Sequence, residues 1–500
     1  MHGPRVLVLA TISVLVAACA SFGSESEPPP AGAAPGPSGP PEPSDPKKDA
    51  PPPPEATPPE SELTEKFGYF VTEKGNDDSE GSRAQPFATL AKALAKAKVD
   101  GKRVYVCLGN YKEALTLEDG VSMIGGYDCS SSTWVSGSTK SRIVAPTSPA
   151  MRAKNIATKT RFEGFEVAAP DVTEPSASSI GFIADNVKAL VIVNARISSG
   201  TGAPGRIGVE GIQLRETDVH GGRGEDGWTE TPSVLAQNAA LGGTSVCVGA
   251  ANQNGGVGGL AGRSGHYLAK QSQVQVPFWD TLTTYSVGEV KTGAEGARGA
   301  SGASATTMGR LGLDGYIAAD GEQGGDGQPG VGGAGGDAIG PPSTSPGSVI
   351  GQKWLSRGGG GGGAGGCPGL AGTPGKGGGA SIAVLLFASP VVFEKSVVES
   401  GNGGAGGRGT FGSNPLPGGA GGFGPYENGK NGGTGGVAGV SGSGAGGPSW
   451  AFAYNGEPPK LTSTTSRLGA GGAGALEETS ATGKVLPASA TGATEAQHAF

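Results

Sequence analysis

A short acidic stretch of this sequence has the composition of a cation site. Asn76, Asp77, Asp78 and Glu80 lie close together, and their side-chain oxygens are of the kind that Ca²⁺ prefers. Their spacing does not match the ligand positions of a known calcium loop. Gly75 followed by Asn and Asp is instead typical of a turn. We therefore predict a turn here and no metal site.

Other groupings that could support catalysis are sparse. The four histidines are scattered, and no Cys-x-x-Cys pair suggests zinc. Gly-x-Gly-x-x-Gly strings are trivial among 97 glycines, and Gly375-Lys376-Gly377 lacks the Ser or Thr and the spacing of a phosphate loop. No Gly-x-Ser-x-Gly elbow has a plausible histidine partner. We predict no catalytic and no cofactor-binding residues.

The scaffold that would position any site is encoded as a repeat. Residues 381–407 contain two short β-rich runs that are split at Ser389-Pro390 and end in a glycine tract. The pattern recurs without a gap at 449–469, and a looser copy at 179–200 aligns after a one-residue slip. Repeated units that cannot bury themselves alone are typical of solenoids. Short β-branched runs between Gly, Pro and Ser favour parallel strands. We predict an all-β fold, a right-handed parallel β-helix (solenoid).

The N-terminal β-helix is predicted to span residues 64–200 and to begin with a capping helix. Apolar residues at helical spacing predict that helix, which would close the open end of the core; they are Phe87, Leu90, Ala91, Leu94 and Ala97. The β-forming runs that follow predict strands at Val104–Leu108, Ala114–Leu117, Val121–Ile124, Ser141–Ala145 and Thr160–Ala168.

Three motifs in this region carry a family resemblance. They are Gly-Asn-Asp-x-x-x-Gly-Ser at 75–82, Pro-Phe-x-Thr-Leu-x-x-Ala at 86–93 and Gly-Gly-Tyr-Asp at 125–128. Together they resemble the N-terminal signature of pectin-lyase-like β-helix proteins with an uncharacterised bacterial repeat module. The resemblance covers roughly 67–200. It implies the same fold, and it makes acidic polysaccharides the substrates to consider.

Glycine-rich stretches interrupt the coils at 201–378 and at 408–447. From 309 to 336 a glycine occupies every third position, with Ala318 as the exception. A period of three indicates a three-fold helix, but too few prolines accompany it for collagen. We favour a bundle of polyglycine-II helices over flexible disorder, although glycine loses the most entropy on ordering. By composition these stretches also resemble bacterial polymorphic glycine-rich (PGRS-type) proteins.

The N-terminus predicts export and a lipid anchor. A short basic start, an apolar run and small residues precede Cys19, as in a secretory signal peptide. Val16-Ala17-Ala18-Cys19 resembles the lipobox of bacterial lipoproteins, which implies lipidation of Cys19 and a signal peptide over 1–19. Ala20 after the cysteine implies, by the same resemblance, the outer membrane or cell surface. An ordinary secretory signal is the alternative.

Residues 20–63 are predicted to form a disordered, proline-rich linker. Runs of proline lie among Ser, Glu and Lys, so the segment cannot collapse and favours extended polyproline II. At about 3.1 Å per residue it would act as a stalk of up to ~120 Å.

Four cysteines remain if Cys19 is lipidated, and an even number in an exported chain suggests disulfides. Three pairings are open. Cys107 and Cys129 are separated by about one coil, which favours their pairing and leaves Cys247 with Cys367 in the glycine-rich region. Unpaired buried thiols are the alternative.

Two segments are harder to assign. Tyr267, Phe278, Trp279 and Tyr285 interrupt the glycine-rich stretch and could stack on sugars, although a small local core is the favoured interpretation.

The second set of coils is predicted over 379–475. Residues 476–500 are polar and rich in Ala and Thr, so a frayed, flexible tail is expected there.

These features favour a structural or adhesive role at the cell surface, with a glycan, matrix component or neighbouring surface as partner. The net charge of −7 and the lack of a basic stripe argue against nucleic acid. A polysaccharide lyase or hydrolase is the rival hypothesis. Carboxylates stacked with Arg or Lys on successive coils would favour it, but Glu394 and Lys395 match the uncharged Thr462 and Ser463.

Overall fold

The computed structural model describes residues 62–131, 133–212, 240–247, 270–276, 279–286, 291–340, 359–424 and 426–500. For 270–276, 279–286 and 339–340 only the backbone is described. The predicted lipid anchor at Cys19 and nearly all of the linker lie outside these residues. No helix within the described ranges has the length and apolar character needed to cross a membrane.

The described residues form one helix, α1 (Leu90–Asp100), and strands that are mostly short. In chain order the strands are β1 Gly68–Val71, β2 Arg103–Cys107, β3 Asn110–Tyr111, β4 Leu115–Leu117, β5 Met123–Asp128, β6 Val135–Ser136, β7 Ser141–Val144, β8 Met151–Lys154, β9 Thr160–Glu163, β10 Phe165–Ala168, β11 Ser179–Asp185, β12 Leu190–Val193, β13 Arg196–Ser198, β14 Lys270–Val276, β15 Trp279–Ser286, β16 Arg310–Gly312, β17 Gly315–Ile317, β18 Ala338–Gly340, β19 Ser381–Phe387, β20 Val392–Glu394, β21 Val397–Glu399, β22 Ser449–Asn455, β23 Lys460–Thr462, β24 Thr465–Arg467, β25 Glu478–Thr479, β26 Val485–Leu486 and β27 Thr494–Ala499.

Three parallel sheets form the faces of a right-handed β-helix, as the sequence predicts. Sheet A has the order β1-β2-β5-β9-β12-β20-β23, and β6 pairs antiparallel with β5. Sheet B has the order β3-β7-β10-β13-β21-β24, and sheet C the order β4-β8-β11-β19-β22-β27. Each full coil passes through sheets C, A and B in turn, so neighbours within a sheet come from successive coils.

The strand register confirms that the three repeat copies are neighbouring coils. On sheet C, Ser179 pairs with Ser381 (381 − 179 = 202). Ser381 in turn pairs with Ser449. On sheet A, Val191 pairs with Val392 (392 − 191 = 201), so the one-residue slip lies in the corner between these strands.

The interior of the coils is a continuous stack of apolar side chains. Along each strand, inward side chains alternate with outward ones because a strand has a period of two. Phe162 and Phe165 stack with ring centroids 4.5 Å apart, and the rings of Phe393 and Phe452 meet edge-on at 5.2 Å. All four are fully buried. Burying each contributes about 1.5–3 kcal/mol, so the stacking of coils, not any one coil, provides the stability.

Helix α1 closes the N-terminal end of this stack. Leu90, Ala93, Leu94 and Ala97 are its buried residues. The helix was predicted correctly, but Ala91, expected on the inner face, is exposed and Ala93 takes its place. Two carboxylates satisfy the free amides at its start. Glu113 accepts from the Leu90 and Ala91 N–H groups, at 2.9 and 3.1 Å, and Asp77 holds the residues just before them.

Asp77 also explains the acidic stretch. Its Oδ1 accepts from the Ala88 and Thr89 N–H groups (2.8 and 3.0 Å), and its Oδ2 accepts from the Thr89 hydroxyl (2.7 Å). Burial by itself would raise the pKa of Asp77, but the hydrogen bonds from Thr89 and Ala88 outweigh burial and lower the pKa below its ordinary value of 3.8. The cluster is a turn, as the sequence predicts, with one of its carboxylates anchoring the capping helix.

Replacing Asp77 by Ala should destabilise the N-terminal cap by about 1–2 kcal/mol, because three donors lose their acceptor. The lowered pKa fixes the pH dependence. The contribution is complete above pH 3.8 and is lost as the pH falls through the lower folded-state pKa. Urea denaturation of the wild type and of Asp77→Ala should therefore converge in strong acid. Asp78→Ala is the matched control, since the Asp78 carboxylate makes no hydrogen bond among the described residues; an equal loss there would contradict this role.

The glycine-rich stretches form an ordered bundle over the residues that are described. Segment 359–380 lies at its centre. The N–H groups of Gly360, Gly363 and Gly366 donate to the carbonyls of Glu427, Lys430 and Gly433, at 2.8–2.9 Å. Segment 327–336 runs antiparallel to residues 360–369. The N–H group of every third residue in 327–336 donates to a carbonyl of 360–369, at 2.8–2.9 Å. Hydrogen bonds between segments at every third residue are the pattern of packed polyglycine-II helices, which confirms that prediction here.

One part of the predicted three-fold run is wrong. Residues 309–317 do not continue the helix but form an antiparallel hairpin, in which Arg310 pairs with Ile317. Leu311 and Tyr316 are the reason, because they pack on the outer face of sheet C, and the Tyr316 ring meets Trp450 edge-on at 6.2 Å. Apolar burial therefore outweighs the glycine periodicity at this point.

The detours leave and rejoin the β-helix at the corner between sheets B and C. The Ser381 hydroxyl donates to the Gly200 carbonyl (2.7 Å), and the Ser449 hydroxyl donates to the Gly401 carbonyl (2.8 Å). Each buried serine thus closes the neck of one detour by tying the returning strand to the departing glycine. The coils before and after each detour therefore stack directly on each other, as though the inserted residues were absent.

Both favoured disulfides are present. Cys107 pairs with Cys129, and Cys247 pairs with Cys367. The first packs against an aromatic cluster on sheet A. The second joins segment 240–247 to the central helix of the glycine bundle.

The frayed tail that composition predicts for 476–500 is not what the structure contains. β25 and β26 form a hairpin, and β27 pairs with β22 as the last strand of sheet C. The buried Lys484 ammonium donates to the carbonyls of Phe411, Gly412 and Ser413, at 2.9–3.3 Å. Backbone pairing and the Lys484 ammonium hold residues 476–500 in place, so the low apolar content of this segment did not predict its structure.

Candidate functional site

The outer faces of the three sheets differ in what covers them. At the N-terminal strands of sheet A, Phe70, Tyr105 and Tyr127 lie in a small core with Trp134. On sheet C, an apolar outer face is covered by the 309–317 hairpin. Sheet B instead carries charged side chains on its outer face, so it is the face whose groups could take part in chemistry or binding.

An alternating ladder of charges runs across sheet B. It consists of Arg142, Glu166, Arg196, Glu399 and Arg467, one from each of five successive strands. The nitrogen–oxygen distances from Arg142 to Arg467 are 3.4, 3.8, 2.5 and 3.1 Å. The hydrogen bond to Glu399, the largest effect, raises the pKa of Arg196. Each carboxylate is therefore shared by two guanidinium groups.

A groove of about 300 Å³ lies beside this ladder. Its lining comprises Ser138, Thr139, Lys140, Glu166, Ala195, Arg196, Lys395 and Val397. The volume is at the lower end of the range for small-molecule sites. The groove is assembled from the loop before β7, from β10, and from the corners that lead into β13 and β21. Hydroxyl and charged groups dominate it, and none of its lining residues is aromatic.

Two lysines of the groove are not used in the structure's own ion pairs. Lys140 and Lys395 make no side-chain hydrogen bond or ion pair with the residues described. The chain as a whole has a net charge of −7. The groove is thus a local concentration of positive charge on an acidic protein.

Lys395 also has an unusual backbone conformation. It lies at the tight corner between sheets A and B with φ 49°. The equivalent corners of neighbouring coils hold Gly164 (φ 77°), Asn194 (φ 46°) and Ser463 (φ 49°). Glycine and asparagine tolerate this left-handed region, whereas lysine is uncommon in it. The left-handed backbone is therefore a shared feature of this corner, and Lys395 is the member of the set that lines the groove.

Sequence reasoning missed this site. It compared Glu394 and Lys395 with Thr462 and Ser463, which the pairing of β20 with β23 confirms as matching positions. Applied to every charged residue, the same repeat would have matched Glu399 with Arg467, which pair across β21 and β24. Arg196 contacts Glu399, which lies diagonally from it on the neighbouring strand β21. A long detour separates the two residues in sequence, so the offset between repeat copies does not predict this contact.

Three other candidates from the sequence have separate outcomes. No group of His, Cys, Asp or Glu suited to a metal ion is found within the described ranges. Tyr267 and Phe278 lie outside those ranges, and for Trp279 and Tyr285 only backbone is described, in the antiparallel pair β14–β15. The Lys376 ammonium pairs with Asp320 at 2.8 Å.

A family model matches part of the chain. Residues 73–228 match a family described as a protein of unknown function, DUF1565. The match covers the capping helix and the first coils, including β7, β10 and β13, which contribute to the groove, and it is less than half of the chain. It supports the β-helix. No curated protein matches the chain.

Solved structures with some likeness include polysaccharide enzymes. A rhamnogalacturonan lyase matches with a TM-score of 0.20 at 18% identity, covering 28% of this chain and 37% of the lyase. A pectin methylesterase in complex with a hexasaccharide matches with a TM-score of 0.19 at 14% identity, covering 27% of this chain and 46% of that enzyme. The pectin methylesterase from Aspergillus niger, in deglycosylated form, gives a TM-score of 0.17 at 12% identity, covering 27% and 51%. This chain thus spans about half or less of each.

Proposed function

We propose that this protein is a cell-surface lipoprotein with a structural and adhesive role, whose sheet B groove binds a glycan. The lipid anchor at Cys19 and the proline-rich stalk would hold the β-helix away from the outer membrane. The observation that carries the proposal is the groove itself, which combines the hydroxyls of Ser138 and Thr139 with charged groups on a rigid sheet.

The rigidity of the groove's frame favours binding. A parallel β-helix holds neighbouring coils in fixed register, so residues far apart in sequence keep a constant spacing. Exposed ion pairs contribute only about 0–1 kcal/mol each, so the charge ladder is a weak source of stability. It does fix the arginine side chains that border the groove. A prearranged polar surface lowers the entropic cost of holding a ligand.

The test is binding of the full chain to a panel of immobilised neutral and anionic polysaccharides. We expect saturable binding to at least one member. Thr139→Trp, which fills the groove, should raise the Kd at least tenfold. Ser136→Trp is the matched control, because Ser136 is exposed and lies outside the groove. Failure to bind any member, or equal loss in both variants, would contradict the proposal.

An enzyme acting on polysaccharides is the second candidate, and one observation favours it. Glu166 and Glu399 stack with Arg142, Arg196 and Arg467 on successive coils, the arrangement expected of such an enzyme. General acid or base catalysis needs a carboxyl group within reach of the substrate, and Glu166 lines the groove. The same panel decides the matter, since release of soluble fragments that is lost in Glu166→Gln would favour the enzyme.

A further inference from the structure

We infer that residues 133–140 form a strap that positions one wall of the groove, and that Trp134, which lies outside the groove, controls how tightly the groove binds. This inference rests on the proposed function and identifies positioning residues for the same site. It also gives a role to the Gly-Gly-Tyr-Asp motif at 125–128, on which the strap lies. Three observations lead to it: the two ties of the strap, its buried ring and its fit on the motif.

The chain on either side of the strap is tied to one residue, Cys107 on β2. Cys129, a few residues before the strap, forms the disulfide with Cys107. Directly after the strap, the buried Ser141 hydroxyl donates to the Cys107 carbonyl at 2.8 Å. The same Ser141 oxygen accepts from the Gly126 N–H at 2.8 Å. The strap therefore leaves the β-helix and returns to it at the same point.

Between these ties, one buried ring anchors the strap. Trp134 is 5% exposed, whereas Thr133 and residues 135–139 are exposed. The Trp134 ring meets Phe70 edge-on with centroids 4.9 Å apart, and its centroid lies 6.2 Å from that of Tyr127. Apolar burial is the main favourable term in packing, so this ring is the side chain that fixes the strap. Residues 138–140, which line the groove, follow it closely along the chain.

The Gly-Gly-Tyr-Asp motif fits against the underside of the strap. Gly126 has φ 83°, and a Cβ there would lie 2.7 Å from the Thr139 carbonyl oxygen. Glycine is therefore required both by the backbone conformation and by the close approach. The Gly126 carbonyl accepts from the Gly137 N–H at 3.1 Å, and Tyr127 pairs with Ser136 between β5 and β6. The motif thus lies directly beneath the groove wall at Thr139.

A ligand in the groove should therefore be coupled to the anchor at Trp134. If the anchored strap is the state that binds, loosening the anchor weakens binding, and a bound ligand stabilises the anchored strap by the same factor. Residues 134–137 lie outside the groove lining. Their amide exchange should nevertheless become slower when the ligand binds, because exchange reports local opening of the backbone.

The experiment measures binding and amide exchange of the full chain, with polygalacturonate and dextran among the polysaccharides tested. Trp134→Ala should raise the Kd of the polysaccharide that binds roughly tenfold or more. It should also speed exchange at 135–140 in the absence of ligand. Trp134→Phe keeps a ring against Phe70 and should restore most of the affinity. Gly126→Ala, whose Cβ would press on the Thr139 carbonyl, should raise the Kd even if Trp134→Ala does not fold.

Two controls separate positioning from lost stability. Val135→Ala changes the neighbouring strap residue, which is 56% exposed. Leu386→Ala removes a fully buried side chain in sheet C, outside the strap and the groove lining. Each should change the Kd less than about twofold. If Leu386→Ala weakens binding as much as Trp134→Ala, the effect is one of stability and the inference is wrong.

The outcomes also separate the inference from the proposed function. If Thr139→Trp blocks binding but Trp134→Ala and Gly126→Ala leave the Kd unchanged, the strap does not position the groove and the proposed function stands. Unchanged exchange at 135–140 in Trp134→Ala would likewise overturn the anchor. If no polysaccharide binds the wild type, both the proposed function and the inference are wrong.

Discussion

Replacing Gly327 by alanine is expected to open part of the glycine bundle. A Cβ at Gly327 would lie 2.0 Å from the Gly436 carbonyl oxygen and 2.5 Å from its carbon. Backbone atoms cannot turn aside as a flexible side chain can, so segments 319–337 and 426–448 must separate. Overpacking of this kind costs about 1–3 kcal/mol and occasionally more. At about 3 kcal/mol, amide exchange in both segments should become roughly a hundredfold faster.

Gly325 is the matched control because it lies two residues away in the same helix. The nearest atom to a Cβ there is the Ala300 nitrogen at 3.2 Å, a contact that a small shift can relieve. Gly325→Ala should therefore perturb exchange far less than Gly327→Ala. Similar exchange rates for the two variants, measured by hydrogen–deuterium mass spectrometry, would contradict packing of the bundle by close backbone contacts at its glycines.

Loss of the Cys247–Cys367 disulfide is expected to have the second large effect. The two cysteines are 120 residues apart, against 22 for Cys107 and Cys129. Loop-closure entropy gives about 5 kcal/mol for the long loop and about 3 kcal/mol for the short one, as upper values. The serine pair Cys247→Ser with Cys367→Ser should therefore lower stability more than Cys107→Ser with Cys129→Ser.

The measurement is the denaturation midpoint of each double variant, read together with exchange in segment 359–380. Cys367 is fully buried at the centre of the bundle, so its loss should speed exchange there and leave the coils of 103–168 unchanged. Loss of the Cys107–Cys129 disulfide should instead speed exchange in the coils of 103–168 and leave segment 359–380 unchanged. A larger loss of stability from the short loop would contradict the entropic ranking.

The repeat made most of the scaffold predictable from sequence. Ser381, Pro390 and Gly401 recur at fixed offsets, and because strands in a β-helix stack in register, equal offsets become spatial neighbours. Cysteine spacing identified the disulfides for a similar reason. The 309–317 hairpin escaped prediction because Leu311 and Tyr316 find an apolar face on sheet C, which a glycine count does not reveal.

The candidate site was less predictable than the scaffold. Lys140 and Lys395 come from different coils, with a glycine-rich detour between them, and neither lies in a recognisable motif. Arg196 meets Glu399 across a diagonal, so strand register alone does not bring them together. Only the packed coils show that these charges share one face. The prediction of a frayed tail at 476–500 was wrong for another reason. β27 is held by backbone pairing, which amino-acid composition does not predict.

The proposed groove exists only if coil 179–198 lies directly against coil 381–399. Cysteines placed at Val191 and Val392, which are paired neighbours on sheet A, test this directly. Lys460 pairs with Val392 on the next strand, about 9.6 Å from Val191 at the usual strand spacing, beyond the reach of a disulfide. Mild oxidation of the folded protein should cross-link Val191→Cys with Val392→Cys and leave Val191→Cys with Lys460→Cys unlinked. No cross-link in the first pair, or equal yields in both, would contradict the stacked coils and the groove built on them.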